Sequence, residues 1–310
     1  MSPSPPPNAR VAARDRHAPS GADDGRGAEH ARHAERGDTP RQQRRQARSR
    51  RQISAEVVHE AIRFEGEQEL DRSTGALFWS GLGAGLTMGL SLVGQGLLRA
   101  ALPDTAWRSL LTSLGYTVGF VFVVAGRQQL FTENTLTPVL PVLRERSRFP
   151  DLARLWAVVL AANLLGALAF AWVAAVTPVF QADAKAAFVE IGREVLQPSA
   201  GTLFLRAVVA GWLIALMVWL MPAAEHARLA MIIVPTYVIA LAHLAHSIAG
   251  SVDVLYLVCA GAASWGEYGR FVLLALLGNV IGGVVFVALL NHKQVVAGGD
   301  GDAAGSDDGA

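Results

Sequence analysis

The sequence predicts an all-α integral membrane protein: six transmembrane helices arranged as two inverted three-helix repeats, with the second and fifth helices broken. Three observations carry this expectation. The 310-residue chain is 52% hydrophobic and 17% charged, and its charges crowd into the ends, far from the balance of a soluble domain. Six segments are long and apolar enough to cross a bilayer, which takes about 17–25 residues of helix. The motif NxxG recurs in the third and sixth of these, at Asn163 and Gly166 and again at Asn279 and Gly282, 116 residues apart, and polar interruptions fall at matching places in the second and fifth, the pattern of an internal repeat.

The chain begins with residues 1–52, which hold twelve Arg against six Asp or Glu and are poor in large apolar side chains. Such a segment cannot offset its own ordering entropy and is expected to be disordered. No apolar stretch of secretory-signal type precedes Leu77, so no cleavable signal is expected. The run Arg41 to Arg51 suits anionic lipid or nucleic acid chemically, but ahead of a membrane domain its commoner role is to fix topology, and no nucleic-acid partner is expected. From Ile53 to Arg72, Ile53, Val57, Ala61 and Phe64 recur at helical spacing with charges between them. That pattern predicts an amphipathic helix at the membrane surface, with a soluble coiled segment as the alternative. The membrane domain is expected to span 53–295, and residues 296–310, a Gly and Asp tail, to be disordered.

The six spans are Ala76 to Leu98, Ser109 to Leu143, Leu155 to Phe180, Ala207 to Ala224, Leu229 to Val258 and Phe271 to Asn291. An even count puts both termini on one side. Arg144, Arg146, Arg148 and Arg154 outnumber the acids between the second and third spans, whereas between the third and fourth Lys185 and Arg193 stand against Asp183, Glu190 and Glu194, with no excess of positive charge. The positive-inside rule then makes both tails cytoplasmic, in a cell membrane crossed several times. In the first span Gly81, Gly85 and Gly89 have GxxxGxxxG spacing, which lets another helix approach closely, in the same or an adjacent protomer. Three spans per repeat, an odd number, require the two halves to be inverted.

The second span is interrupted by GRQQLFTENTLTPVLP, Gly126 to Pro141. Read alone, the stretch is either a broken membrane helix or a loop after a complete crossing. Irregular backbone at membrane depth is tolerated where protein buries it or a watery cavity meets it, so a real break marks a permeation path. The repeat favours the break: adding 116 to Phe131 and Thr132 reaches Ser247 and Ile248, where HLAHSIAGSVD interrupts an apolar run too long for one crossing.

LFTENTL and AHSIAG, together with NxxG in the third and sixth spans, resemble the formate/nitrite transporter family over roughly Ile53 to Lys293. The resemblance implies an aquaporin-like protomer with one pore, a pentameric assembly, and small monovalent anions such as formate, nitrite, hydrosulfide or lactate as substrates. It places Leu130, Phe131 and Thr132 on the loop that breaks the second helix, with Phe131 at an apolar constriction, and matches His246 to the family's pore histidine. Asn134 and Ser247 complete the expected pore set. The chain departs from the family pattern where a Lys ahead of the fourth span and an Asn within it are replaced by Ser199 and Ala215, and where Gly-Gly-Glu before LFT reads Arg127, Gln128 and Gln129. It resembles a divergent branch.

Chemically, an anion at the bilayer midplane needs positive field or neutralisation. An imidazole at His246 supplies a hydrogen-bond donor or a proton, and half-helix N-termini at the breaks would add donor N–H groups. The alternative is a buried histidine satisfied by Thr132 or Asn134. His243, three residues ahead of His246, is expected on the same helical face. Two nitrogens are too few for a metal site, and Cys259, the only cysteine, excludes an internal disulfide and a cysteine cluster; no cofactor is expected. Arg127 and Glu133 are expected either to neutralise each other at a vestibule or to face cytoplasmic water. No phosphate loop or nucleophile elbow suggests an enzyme. A neutral-solute channel, although NPA tripeptides are absent, and a non-transporting membrane scaffold remain the other readings.

Overall fold

The computed structural model describes residues 54–224 and 227–294. The Arg-rich run, the two expected disordered tails and Ile53 lie outside the described residues. Among those described, the structure is helical throughout, with no strand.

Helix α1 (Ala55–Asp71) docks through Val58, His59, Ile62, Gly66 and Leu70. The apolar stripe expected from the sequence is a separate one and faces outward: Val57 is 56% and Phe64 59% exposed. Docking selects the row with the smallest residue at its centre, because a Cβ on Gly66 would run into the carbonyl of Thr137, whereas the sequence pattern weights the largest side chains. At its start His59 Nε2 lies 3.1 Å from His292 Nδ1, joining α1 to the far end of the chain.

Helix α2 (Thr74–Ala101) is capped by Ser73, whose Oγ accepts from the Ala76 N–H, the usual way of satisfying one of four orphan donors. Helix α3 (Arg108–Ala125) ends where residues 126–138 leave helical geometry apart from a 3-10 turn at Glu133–Thr135, and the chain re-enters a short helix α4 (Val139–Arg144). Helix α5 (Phe149–Val176) carries Pro150 in its first turn, where a missing N–H is harmless. Helix α7 (Ala200–Leu220) is capped by Ser199, α8 (Arg228–Leu241) stops short, α9 (Ser247–Cys259) follows a four-residue gap after Ala242, and α10 (Trp265–Gly283) opens with a Ser264/Glu267 capping box. The last span continues as a π turn, Val284–Leu289.

Helices α2, α3, α5, α7 and α10 are each long and apolar enough to cross a bilayer, while α8 and α9 are shorter apolar helices; together these two make the fifth crossing. One element was missing from the sequence reading. The connection between the third and fourth spans contains α6 (Ala182–Leu196), which buries Ala184, Ala187, Phe188, Ile191 and Gly192 and packs against α9 and α2. It stands ahead of α7 as α1 stands ahead of α2.

The halves pack alike. Helix α2 lies along α5, and α7 along α10. A Cβ on Gly85 would strike the carbonyl of Asn163, and one on Gly211 the carbonyl of Asn279. The Gly81, Gly85 and Gly89 face therefore packs on α5 of the same chain, Gly89 against the Phe170 ring. The interior is closed by Phe120, Phe188, Tyr256 and Phe271. Outward-facing positions on the spans are also apolar, with Trp79, Leu205 and Val234 each more than 60% exposed, as a lipid-facing surface requires.

Candidate permeation site

Each break is held by one asparagine. Asn163 on α5 accepts from the Phe131 N–H through Oδ1 at 2.9 Å and donates through Nδ2 to the carbonyls of Gly81 at 2.8 Å and Gln129 at 2.9 Å. Asn279 on α10 accepts from the Ser247 N–H at 2.8 Å and donates to the carbonyls of Ala207 at 2.8 Å and Ala245 at 3.0 Å. Gln129, Phe131 and Asn163 map onto Ala245, Ser247 and Asn279 by the same 116-residue step. Unwound backbone leaves N–H and C=O groups without helical partners, and a buried primary amide, with one acceptor and two donor hydrogens, satisfies one of each and ties the break to a carbonyl of the neighbouring helix, Gly81 of α2 or Ala207 of α7. The sequence reading found these asparagines as a repeat signal and missed their job; the spacing from Asn163 to Phe131 and from Asn279 to Ser247, equal in both halves, was the available clue.

The ends of α3 and α8 match as closely. Arg127 and His243 both have φ of 50°, and the N–H groups of residues 126, 127 and 128 bond to the carbonyls of Phe122, Val124 and Val123, as those of 242, 243 and 244 bond to Val238, Ala240 and Ile239.

The two breaks meet at a side-chain hydrogen bond between Thr132 and His246, with Oγ1 and Nε2 2.8 Å apart. Thr132 and His246 are each 1% exposed. The other ring nitrogen, Nδ1, accepts from the N–H groups of Ile248 at 3.3 Å and Ala249 at 3.1 Å. A nitrogen that accepts carries no proton, so the hydrogen resides on Nε2 and is donated to Thr132. Phe120 meets the imidazole edge-on, ring centres 4.9 Å apart. His246 is thus the N-cap of α9 as well as the residue between the two breaks. Its own carbonyl accepts from the Gly250 N–H, and Ser247 N–H belongs to Asn279, so all four first donors of α9 are occupied. The expected open half-helix N-terminus is corrected: the helix end spends its donors on His246 and Asn279.

Leu130 and Phe131 are buried, and Phe131 stands edge-on to Trp156 at 5.8 Å. Asn134 donates to Gln129 Oε1 at 2.9 Å, and its carbonyl accepts from Trp156 Nε1 at 2.9 Å. Gln129 in turn donates to Glu69 of α1 at 2.8 Å, a link from the surface helix into the break. Burial pushes the Glu69 carboxyl up against the opposing pull of Arg72. Ser247 is fully buried with Oγ unpartnered.

Two expectations are corrected. Arg127 and Glu133 form no ion pair: Arg127 is exposed at the end of α3, while Glu133 keeps Oε1 buried without a partner. His243 does not share a helical face with His246, since its left-handed backbone ends α8 four residues before α9 begins. Both histidines nevertheless line one cavity, with Tyr116, Arg206, Asp253 and Phe271. Ser199, in place of the family Lys, caps α7, and Ala215, in place of the Asn, is fully buried. Among the described residues no group of three metal-ligating side chains occurs.

A family model described as formate/nitrite transporter matches residues 55–293. The chain is similar to inner membrane protein YfdC of Escherichia coli strain K12, 44% identical over 244 residues covering 78% of this chain and 79% of that protein. Among solved structures it is similar to an FNT family ion channel, with TM-score 0.66 and 19% identity over 75% of this chain and 96% of the other. It is likewise similar to a pentameric formate channel with formate bound, with TM-score 0.61 and 20% identity over 72% of this chain and 98% of the other. The duplicated asparagine braces, the paired breaks and the family match over most of the chain lead to one conclusion: this multi-pass membrane protein belongs to the formate/nitrite transporter family.

Proposed function

We propose that the chain is a channel or transporter for small monovalent weak-acid anions of the formate and nitrite type. In this reading it works as a homo-pentamer in the cell membrane with both termini cytoplasmic. The observation that carries it is the buried Thr132–His246 hydrogen bond where two braced breaks meet. Phe131 with Leu130 forms the apolar neck, and Asn134 and Ser247 flank it. Nε2–H of His246 is the donor available to a ligand once Thr132 yields it. Proton transfer to the ligand needs a second proton on Nδ1 first, and Nδ1 gains one only by releasing Ile248 and Ala249. Proton coupling through His246 is therefore tied to loosening the first turn of α9. The positive loop between the second and third spans supports the cytoplasmic orientation, and the pentameric neighbour supports the assembly.

Uptake of formate, nitrite, hydrosulfide and lactate into proteoliposomes across pH tests this. His246→Asn should lower the rate about tenfold or more, the worth of a hydrogen bond to a charged group, and flatten the pH profile, whereas His243→Asn should do much less. Unchanged rates and profile in correctly assembled His246→Asn would leave His246 a capping residue alone. A neutral-solute channel is the second reading, favoured by the fact that no N–H at the start of α9 is left open to an anion. Swelling with glycerol or urea but none with formate would select it.

A further inference from the structure

Asp253 sits in the second turn of α9, 5% exposed, and makes neither a side-chain hydrogen bond nor an ion pair among the described residues. Its neighbours on the helix do not need it: Ser251 bonds the carbonyl of Ser247, and the helix start is capped by His246. A carboxyl buried at membrane depth with no partner is expensive and is retained where a pathway uses it. Asp253 lines the cavity that His246 also lines. The other charged or titratable groups on that cavity are Tyr116 of α3, Glu194 of α6, Arg206 of α7 and His243 at the end of α8. Glu194 is neutralised by Arg99, which donates to it at 2.9 Å. Arg206 has no carboxylate partner among the described residues. The cavity thus has an uncancelled cation in Arg206 and an uncancelled carboxyl in Asp253.

We infer that Asp253 is a specificity residue, selecting ligands that carry or accept a proton over anions that cannot. The inference rests on the weak-acid reading above. Arg206 draws anions of either kind into the cavity. There an ionised Asp253 repels any ligand that stays charged, and admits a weak acid that arrives with its proton. In its acid form Asp253 transfers the proton instead: the Asp253 O–H breaks, an O–H forms on the ligand's oxyanion, the negative charge moves to Asp253, and a hydronium ion from bulk solution returns the proton to Asp253, leaving water. A strong-acid anion takes no proton by this route. Both forms of Asp253 therefore discriminate in the same direction, and formate against nitrate, two small planar monovalent anions of very different basicity, is the informative pair.

The test is proteoliposome swelling driven by formate or nitrate salts, using the full chain as wild type, Asp253→Asn and Asp253→Glu. Wild type should pass formate at least about tenfold faster than nitrate, the scale of one uncancelled charge at close range in a partly polar cavity. Asp253→Asn should bring the ratio close to one by admitting nitrate, and Asp253→Glu should keep the wild-type ratio. An unchanged ratio in Asp253→Asn, assembled as wild type is, overturns the inference and leaves the weak-acid reading standing. So does a wild-type protein that passes nitrate as fast as formate, whatever the variants do. A wild type that passes neither overturns the transport reading itself and the filter with it.

Discussion

The first break and the second are built on one scaffold and filled with different chemistry. Asn163 and Asn279 make the same three hydrogen bonds, Arg127 and His243 take the same left-handed turn, and three backbone bonds repeat with the same partners. Yet the first break comes after the full-length α3 and leads through a 3-10 turn into the six-residue α4, while the second divides its span into α8 and α9 of similar length. Thr132 of the first break is matched by Ile248 in the second, and His246 is matched by Leu130. What is duplicated is the solution to a backbone problem, unwinding a chain where no water reaches it. What is not duplicated is the pair of side chains that meet in the middle, and a single donor and acceptor facing each other needs only one of each.

The equivalence of the braces is the comparison's strongest claim and predicts its largest effect. Asn163→Ala and Asn279→Ala each orphan one N–H and one carbonyl of a break and cut the tie to a neighbouring helix, and each orphan costs about 1–3 kcal/mol. Both variants should therefore lose most of their folded stability, by similar amounts, read as the midpoint of denaturant unfolding in detergent micelles. Wild-type stability in either one would break the equivalence and return that asparagine to an ordinary packing role.

Helix approach gives a smaller and more graded effect. Gly85→Ala and Gly211→Ala place a Cβ against the backbone of the facing helix, while Gly75 and Gly201, paired by the same 126-residue step, have nothing within 4 Å of an added Cβ. Overpacking of this kind costs about 1–3 kcal/mol. The first pair should lower the thermal midpoint together, and the second pair should raise it slightly, because alanine loses less chain freedom than glycine on folding. A stable Gly85→Ala beside an unstable Gly211→Ala would show that α2 yields to α5 where α7 cannot yield to α10.

Much of this was legible in the sequence because the bilayer writes in large letters. Span length, the NxxG pair and the two polar interruptions follow from the absence of water, and all have counterparts in the structure. The helix α6 was not legible as a helix, because half of its apolar row Ala184, Ala187, Phe188 and Ile191 is alanine set between charges, and its partner α9 is distant in sequence. The docking face of α1 was not read from the sequence, because its centre is Gly66 and the carbonyl it meets, Thr137, is distant in the chain. At the site, residue identity located His246 and Thr132, but the direction of each hydrogen bond depended on three-dimensional neighbours. No spacing rule announces that His246 Nδ1 would cap the helix that it begins, or that Arg127 would turn away from Glu133.

The smallest effect tests the comparison at the helix ends. Arg127 and His243 hold φ of 50°, a conformation in which Cβ crowds the following carbonyl oxygen and costs an ordinary residue about 1–2 kcal/mol. Glycine removes that strain but gives back part of the gain through the greater freedom of its unfolded chain, about 0.5–1 kcal/mol. Arg127→Gly and His243→Gly should each stabilise the protein by roughly 0.5–1 kcal/mol, the difference of those two terms. Both residues are exposed and neither makes a side-chain hydrogen bond or ion pair among the described residues, so nothing else is lost. Combined, the two gains should add, because the turns end different helices in different halves. Differential unfolding of the two single variants and the double variant decides it. Equal, additive gains mean that the two turns carry the same strain for the same reason. A gain at Arg127 with a loss at His243 would mean that the second turn is held by its side chain, and the resemblance of the two breaks would then end at the asparagines.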